Sequence, residues 1–105
     1  MTIYDVIKLL PTVLTSNAPK EGTKTIQYKL SNPMYVVFDN SQCTVHEGLA
    51  PKFDVAFTIK DDLLLAMFKG QLNAPLAYMT GKLKIEGDKQ LAQNVPSFFD
   101  LKKIL

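Results

Sequence analysis

The chain has 105 residues, 47% hydrophobic and 21% charged, with twelve basic against ten acidic side chains and a net charge of +2. That length suits one domain with a real core, and high apolar content at low net charge excludes a disordered chain. Every basic residue is Lys, with no Arg and no Trp, which argues against a nucleic-acid reader, since guanidinium forks read guanine and clamp phosphate.

The first predicted element is a helix. Thr2 and Asp5 form a capping-box pattern, and Ile3, Val6, Ile7, Leu10 and Leu14 recur at helical spacing. Pro11 lacks an N–H and crowds the carbonyl of Ile7, so a kink or early stop is expected there. Residues 15–22 read as a loop. Ile26, Tyr28 and Leu30 then alternate with Thr25, Gln27 and Lys29, the period of a half-buried strand whose polar face carries Gln27. Met34 to Phe38 form a second strand after Ser31-Asn32-Pro33, and Cys43 and Val45 mark a third after Asp39-Asn40-Ser41. Phe53, Val55, Phe57 and Ile59 alternate as a fourth. Such close turns predict that the first four strands form an antiparallel meander.

The period then changes. Asp61 or Asp62 is placed to cap a helix over Leu63 to Lys69, with Gly70 as its stop. A shorter helix is predicted from Pro75 to Thr80, ended by Gly81. Lys82 to Glu86 alternate as a fifth strand, and Asp88 caps a last helix that Pro96 breaks. Strands, helices, one strand and a closing helix give an α+β order, with the helices covering one face of the sheet.

The polar residues offer little chemistry. Cys43 is the single cysteine, so neither an intrachain disulfide nor a cysteine metal cluster can form, and a cytoplasmic, reducing setting is expected. No apolar run approaches the ~20 residues of a membrane span, and Met1-Thr2-Ile3-Tyr4-Asp5 has no basic region or cleavage site of a secretory signal. One histidine cannot make a paired-His metal site. His46 falls on the polar phase of its strand, and Cys43, three residues away, points to the other face, so the two cannot form a nucleophilic pair. Lys82 and Lys84 lie on the solvent phase of the fifth strand, where they serve solubility or attract an anionic membrane surface. No phosphate-binding loop or cofactor motif occurs.

The apolar residues are more informative. Leu63, Leu64, Leu65, Ala66, Met67 and Phe68 leave almost no polar face, a pattern that predicts a helix buried on several sides. Leu76, Ala77, Tyr78 and Met79 repeat the pattern, and Phe98, Phe99, Leu101, Ile104 and Leu105 extend it. Three explanations stand: a dense core, a homodimer interface, or the lining of a cavity for an apolar ligand.

The stretches Phe53-Asp54-Val55-Ala56-Phe57-Thr58-Ile59, Asp61-Asp62-Leu63-Leu64, Lys69-Gly70-Gln71-Leu72-Asn73, Ala77-Tyr78-Met79-Thr80-Gly81-Lys82-Leu83-Lys84-Ile85-Glu86-Gly87-Asp88 and Leu91-Ala92 together resemble the sterol carrier protein type-2 domain. The resemblance implies a five-stranded, mostly antiparallel sheet with helices packed on one face. It also implies non-catalytic binding, and transfer, of a fatty acid, fatty acyl-CoA, phospholipid or sterol-like lipid in a tunnel between sheet and helices. The lining expected on that basis is Phe57, Leu64, Phe68, Leu76, Met79, Phe98 and Phe99. The ending Lys103-Ile104-Leu105 departs from the peroxisomal tripeptide of many eukaryotic members. Two rival functions are a protein-interaction or dimerisation module built on the apolar helices, and a small acyl-CoA thioesterase whose sheet wraps one long helix. The expected partners are an apolar small molecule, transiently a membrane surface, and a second copy in a homodimer.

Overall fold

The computed structural model describes residues 1–105. Helix α1 spans Ile3–Leu9, and both hydrogen bonds of its capping box form: Asp5 N–H donates to Thr2 Oγ1 and Thr2 N–H to the Asp5 carboxylate. Those bonds from Thr2 hold the Asp5 carboxyl below its ordinary pKa of 3.8. Pro11 does not merely kink the helix. The chain tightens into a 3₁₀ turn over Leu10–Thr12, where a missing N–H is tolerated.

Five strands follow: β1 Thr23–Lys29, β2 Met34–Asp39, β3 Gln42–Glu47, β4 Val55–Thr58 and β5 Lys84–Gly87. β2 and β3 are joined by the two-residue turn Asn40–Ser41, both at positive φ, the geometry that suits right-handed strand twist. The sheet order is β3-β2-β1-β4-β5. This corrects the predicted meander. β4 does not hairpin onto β3; it lies parallel beside β1, with Tyr28 opposite Phe57, while the other three pairings are antiparallel. The sheet is thus mixed and mostly antiparallel.

To reach β4 from β3, residues 48–54 must recross β2 and β1. The helices occupy the face carrying Ile26 and Tyr28, so this segment passes over the opposite face, where Gln27 meets it. Gln27 Nε2 donates to the carbonyls of Met34 at 3.0 Å and Gly48 at 3.1 Å, and its Oε1 accepts from Ala50 N–H at 2.8 Å. Gln27 is 1% exposed and is the one fully buried polar side chain. Expected on a solvated face, it is instead the peg that holds the crossover, with every side-chain hydrogen bond internal.

Four helices complete the fold: α1, α2 Asp61–Phe68, α3 Ala74–Met79 and α4 Lys89–Asn94, followed by 3₁₀ turns at Val95–Phe98 and Leu101–Lys103. Asn73 and Asp88 cap α3 and α4 through Leu76 N–H and Leu91 N–H, each at 3.0 Å. The longest helix, α2, has eight residues, too short for the sheet-wrapped central helix of the thioesterase alternative. No helix is long and apolar enough to cross a membrane.

Asp61 and Asp62 do not cap α2 through their side chains; its N-cap is Lys60. Asp61 instead ties three elements together. Its carboxylate accepts from Ser31 N–H at 2.9 Å and from the Tyr4 hydroxyl at 2.6 Å, and that hydroxyl accepts from Asn32 N–H at 3.1 Å. Partial burial pushes the Asp61 carboxyl up, but the bonds from Ser31 and Tyr4 outweigh it and hold the pKa below 3.8. A carboxyl depressed by folding contributes stability above its unfolded pKa and loses it as pH falls through the folded value. The stability difference between wild type and Asp61→Asn, from urea midpoints, is therefore expected to be full at neutral pH and to shrink below about pH 4. A difference constant down to about pH 2 would contradict this role for the carboxylate.

Candidate functional site: an apolar cavity between the sheet and three helices

The helix-covered face of the sheet closes differently at its two ends. Over β2 and β3 buried side chains cover the sheet. Ile3, Val6, Ile7 and Leu10 are buried there, and Phe38 meets Phe98 edge-on at 5.6 Å and Phe99 at 6.0 Å. The C-terminal segment is stitched onto the end of the first helical segment: Leu14 bridges Phe99, with Thr15 N–H donating to Phe98 O and Asp100 N–H to Val13 O. Cys43 is half-buried on this side, and burial pushes its thiol up to about 11, leaving it protonated at neutral pH. His46 is exposed on the other face, stacked 4.9 Å from Tyr35. Cys43 and His46 are therefore on opposite faces, as the alternation requires.

Over β1, β4 and β5 the cover is incomplete. A cavity of about 620 Å³, open to solvent on one side, lies between the sheet and α2, α3 and α4, and 14 of its 18 lining residues are hydrophobic. That volume and lining suit a small-molecule site. Tyr28, Phe57 and Ile85 supply the sheet side. The Tyr28 and Phe57 rings stack at 5.7 Å, and Phe68 meets Tyr28 edge-on at 6.4 Å. Burial raises the Tyr28 hydroxyl well above its ordinary pKa, so it stays neutral. Leu64, Met67 and Phe68 come from α2, Ala74, Pro75 and Tyr78 from α3, and Ala92 and Gln93 from α4; Leu83, Val95, Phe99 and Leu101 close the far wall. The charged member is Lys89, whose Nζ donates to Ile85 O and stands 5.9 Å from the centre of the Tyr78 ring.

Four of the seven residues expected to line the site, Phe57, Leu64, Phe68 and Phe99, do border this cavity. Three do not. Phe98 packs on Phe38 on the β2–β3 side of the core. Leu76 and Met79 point outward at 56% and 81% exposure, because α3 buries Ala77 against the body and turns Ala74, Pro75 and Tyr78 to the cavity. Nor is α2 buried all round: only Leu64 is fully covered, and Leu63, Leu65, Met67 and Phe68 are partly exposed. Lys89, Gln93 and Leu83 are among the lining residues outside the expected set; Leu83 was readable, as the apolar phase between Lys82 and Lys84.

A second groove, of about 710 Å³, is polar. It runs past Ser31, Thr58, Lys60, Asp61, Asp62, Lys82 and Lys84, with Ile59 as its one hydrophobic member. Asp61 is already committed to Ser31 and Tyr4 there, and the groove gathers no acid–base or nucleophile pair.

The chain is thus an α+β fold, a mixed five-stranded sheet with helices on one face and an apolar cavity between them. The sequence profile of the SCP-2 sterol transfer family matches residues 12–100, and the chain belongs to that family. None of the curated proteins matches it. Among solved structures it is similar to palmitated SCP2L2 from Aedes aegypti, at 25% identity and a TM-score of 0.68 over 90% of this chain and 91% of that one. It is similar in fold to UbiJ-SCP2, a ubiquinone synthesis protein, at 22% identity and a TM-score of 0.66, over 89% and 88% of the two chains. It also matches part of the sec-alkylsulfatase Pisa1 from Pseudomonas sp., at 21% identity and a TM-score of 0.73. There it covers 90% of its own length but spans only 16% of the sulfatase. Membership of the family supports lipid or sterol binding in general.

Proposed function

We propose that the chain is a non-catalytic carrier that holds one acyl lipid, a fatty acid or a close relative, in the cavity between the sheet and α2–α4. The observation that carries this reading is the cavity itself: about 620 Å³, mostly apolar, beside the buried side chains that cover β2 and β3. Each methylene moved from water into such a site contributes about 0.8 kcal/mol, less the cost of ordering chain and protein. Lys89 and Gln93 give the lining a cationic and an amide group that suit the carboxylate or carbonyl of such a lipid, while the hydrocarbon occupies the apolar remainder. The palmitate of the Aedes aegypti relative agrees with an acyl ligand. Cys43 and His46 stand apart on opposite faces of the sheet, and the polar groove pairs no base with a nucleophile, which favours binding over catalysis.

The test is displacement of a fluorescent fatty acid from the delipidated protein by palmitate. Wild type is expected to show saturable, one-site displacement. Ala92→Trp, which places an indole into the cavity from α4, is expected to weaken binding by about tenfold or more while the far-ultraviolet circular dichroism is kept. No saturable displacement by wild type, or an unaffected Ala92→Trp, would overturn the reading.

A further inference from the structure

We propose that the outer face of α3, the helix that walls the cavity, docks onto anionic lipid bilayers. Leu76 and Met79, three residues apart, share the outward face of this six-residue helix, and Tyr78 beside them is 48% exposed. Three of the six large hydrophobic side chains that the molecule exposes thus sit on one helix. The same helix is a wall of the cavity, through Ala74, Pro75 and Tyr78.

Charge names the surface that fits. Residues 69–84 contain Lys69, Lys82 and Lys84 and no acidic residue. Lys82 follows α3 directly, its N–H bonded to Ala77 O, and Lys89 stands over Tyr78. The adjoining groove adds Lys60 against Asp61 and Asp62, and Glu86 and Asp88 lie in and beside β5, so residues 60–89 carry five lysines against four carboxylates and remain net positive by one. Exposed apolar side chains ringed by lysines match the boundary between acyl chains and anionic headgroups, where apolar burial and headgroup attraction add. A purely apolar protein partner would leave those ammonium groups without counter-charge. The proposal goes beyond the carrier reading, since docking requires no ligand. An empty protein is expected to dock.

The experiment is co-sedimentation of the full chain with vesicles of phosphatidylcholine alone or of equal parts phosphatidylcholine and phosphatidylglycerol. Wild type is expected to bind the mixed vesicles about fivefold or more better than the neutral ones, and to lose that preference at high salt. The double variant Leu76→Ser/Met79→Ser is expected to bind the mixed vesicles about tenfold more weakly, and Lys82→Glu about fivefold more weakly. Both should keep the wild-type melting temperature and the wild-type affinity for soluble fluorescent fatty acid, so loss of docking is distinguished from loss of the carrier site. Sedimentation of the double variant equal to wild type would overturn the proposal. So would a wild type that ignores both vesicles, including one that light scattering shows to be a dimer dispersed by the double variant, in which a second copy covers the face.

Discussion

A Gly87→Ala variant is expected to lose about 3–4 kcal/mol of stability in urea denaturation, the sum of left-handed backbone strain and a steric overlap. Gly87 ends β5 at φ +93°, a conformation that side-chain-bearing residues rarely adopt. A Cβ there would lie 2.4 Å from Asp54 O and 3.2 Å from Asp54 C. Those atoms are backbone and are held on both sides. Asp54 O accepts from Asp88 N–H at 2.8 Å, Asp54 N–H donates to Thr25 O at 2.9 Å, and the Asp54 carboxylate accepts from Thr25 N–H at 2.7 Å. Relieving the clash therefore separates β5 from β4, and with them Ile85 and Phe57 on the sheet side of the cavity. Gly70→Ala is the control. Gly70 has φ +76° but nothing within 4 Å of a Cβ, so only the strain of about 1–2 kcal/mol is expected. Equal losses at the two glycines would refute the steric argument.

Gln27→Leu is the second large effect. The substitution keeps the approximate volume and removes the pairing of Met34 O, Gly48 O and Ala50 N–H together. Each buried group left unpaired costs about 1–3 kcal/mol, and partial opening of the crossover to water offsets some of that, so a net loss of about 3 kcal/mol is expected. Amide exchange at Ala50 should accelerate more than exchange at Val36 in the core of β2. A variant of wild-type stability with Ala50 still protected would contradict the view that this side chain pins residues 48–54 across the sheet.

Gln27 also shows where the sequence stopped being readable. Its phase on the strand was correct: it does face away from Ile26 and Tyr28. What alternation cannot show is that a later segment returns across that face, because the parallel pairing of β1 with β4 is made between residues far apart in the chain. Features set within a few residues were legible. The capping box of Thr2 and Asp5, the cap at Asp88 and the glycine stop at Gly70 all appear where the local chemistry puts them. Asp61 was placed correctly at a helix start but given the wrong work, since its partners, Ser31 and Tyr4, come from other elements.

The candidate site divides in the same way. The excess of apolar residues in α2 was legible, and so was the family resemblance carried by residues 53–92. Which side of α3 turns inward was not. Six residues make under two turns, so the pattern of apolar residues did not show that Leu76 and Met79 face outward. Phe98 and Phe99 are adjacent in sequence, yet one packs against Phe38 while the other also borders the cavity. That separation depends on the bridge between Leu14 and Phe99, a contact between the two ends of the chain.

The most direct test of a ligand in this cavity is a palmitate titration of the delipidated protein followed by nuclear magnetic resonance. Saturation at one equivalent is expected, with the largest shifts at Leu64, Phe68, Leu83 and Ala92 and little change at Phe38, Val45 and Phe98. Shifts that fail to saturate, or that fall mainly on the β2–β3 side, would contradict the assignment of the space between the sheet and α2–α4 as the binding site.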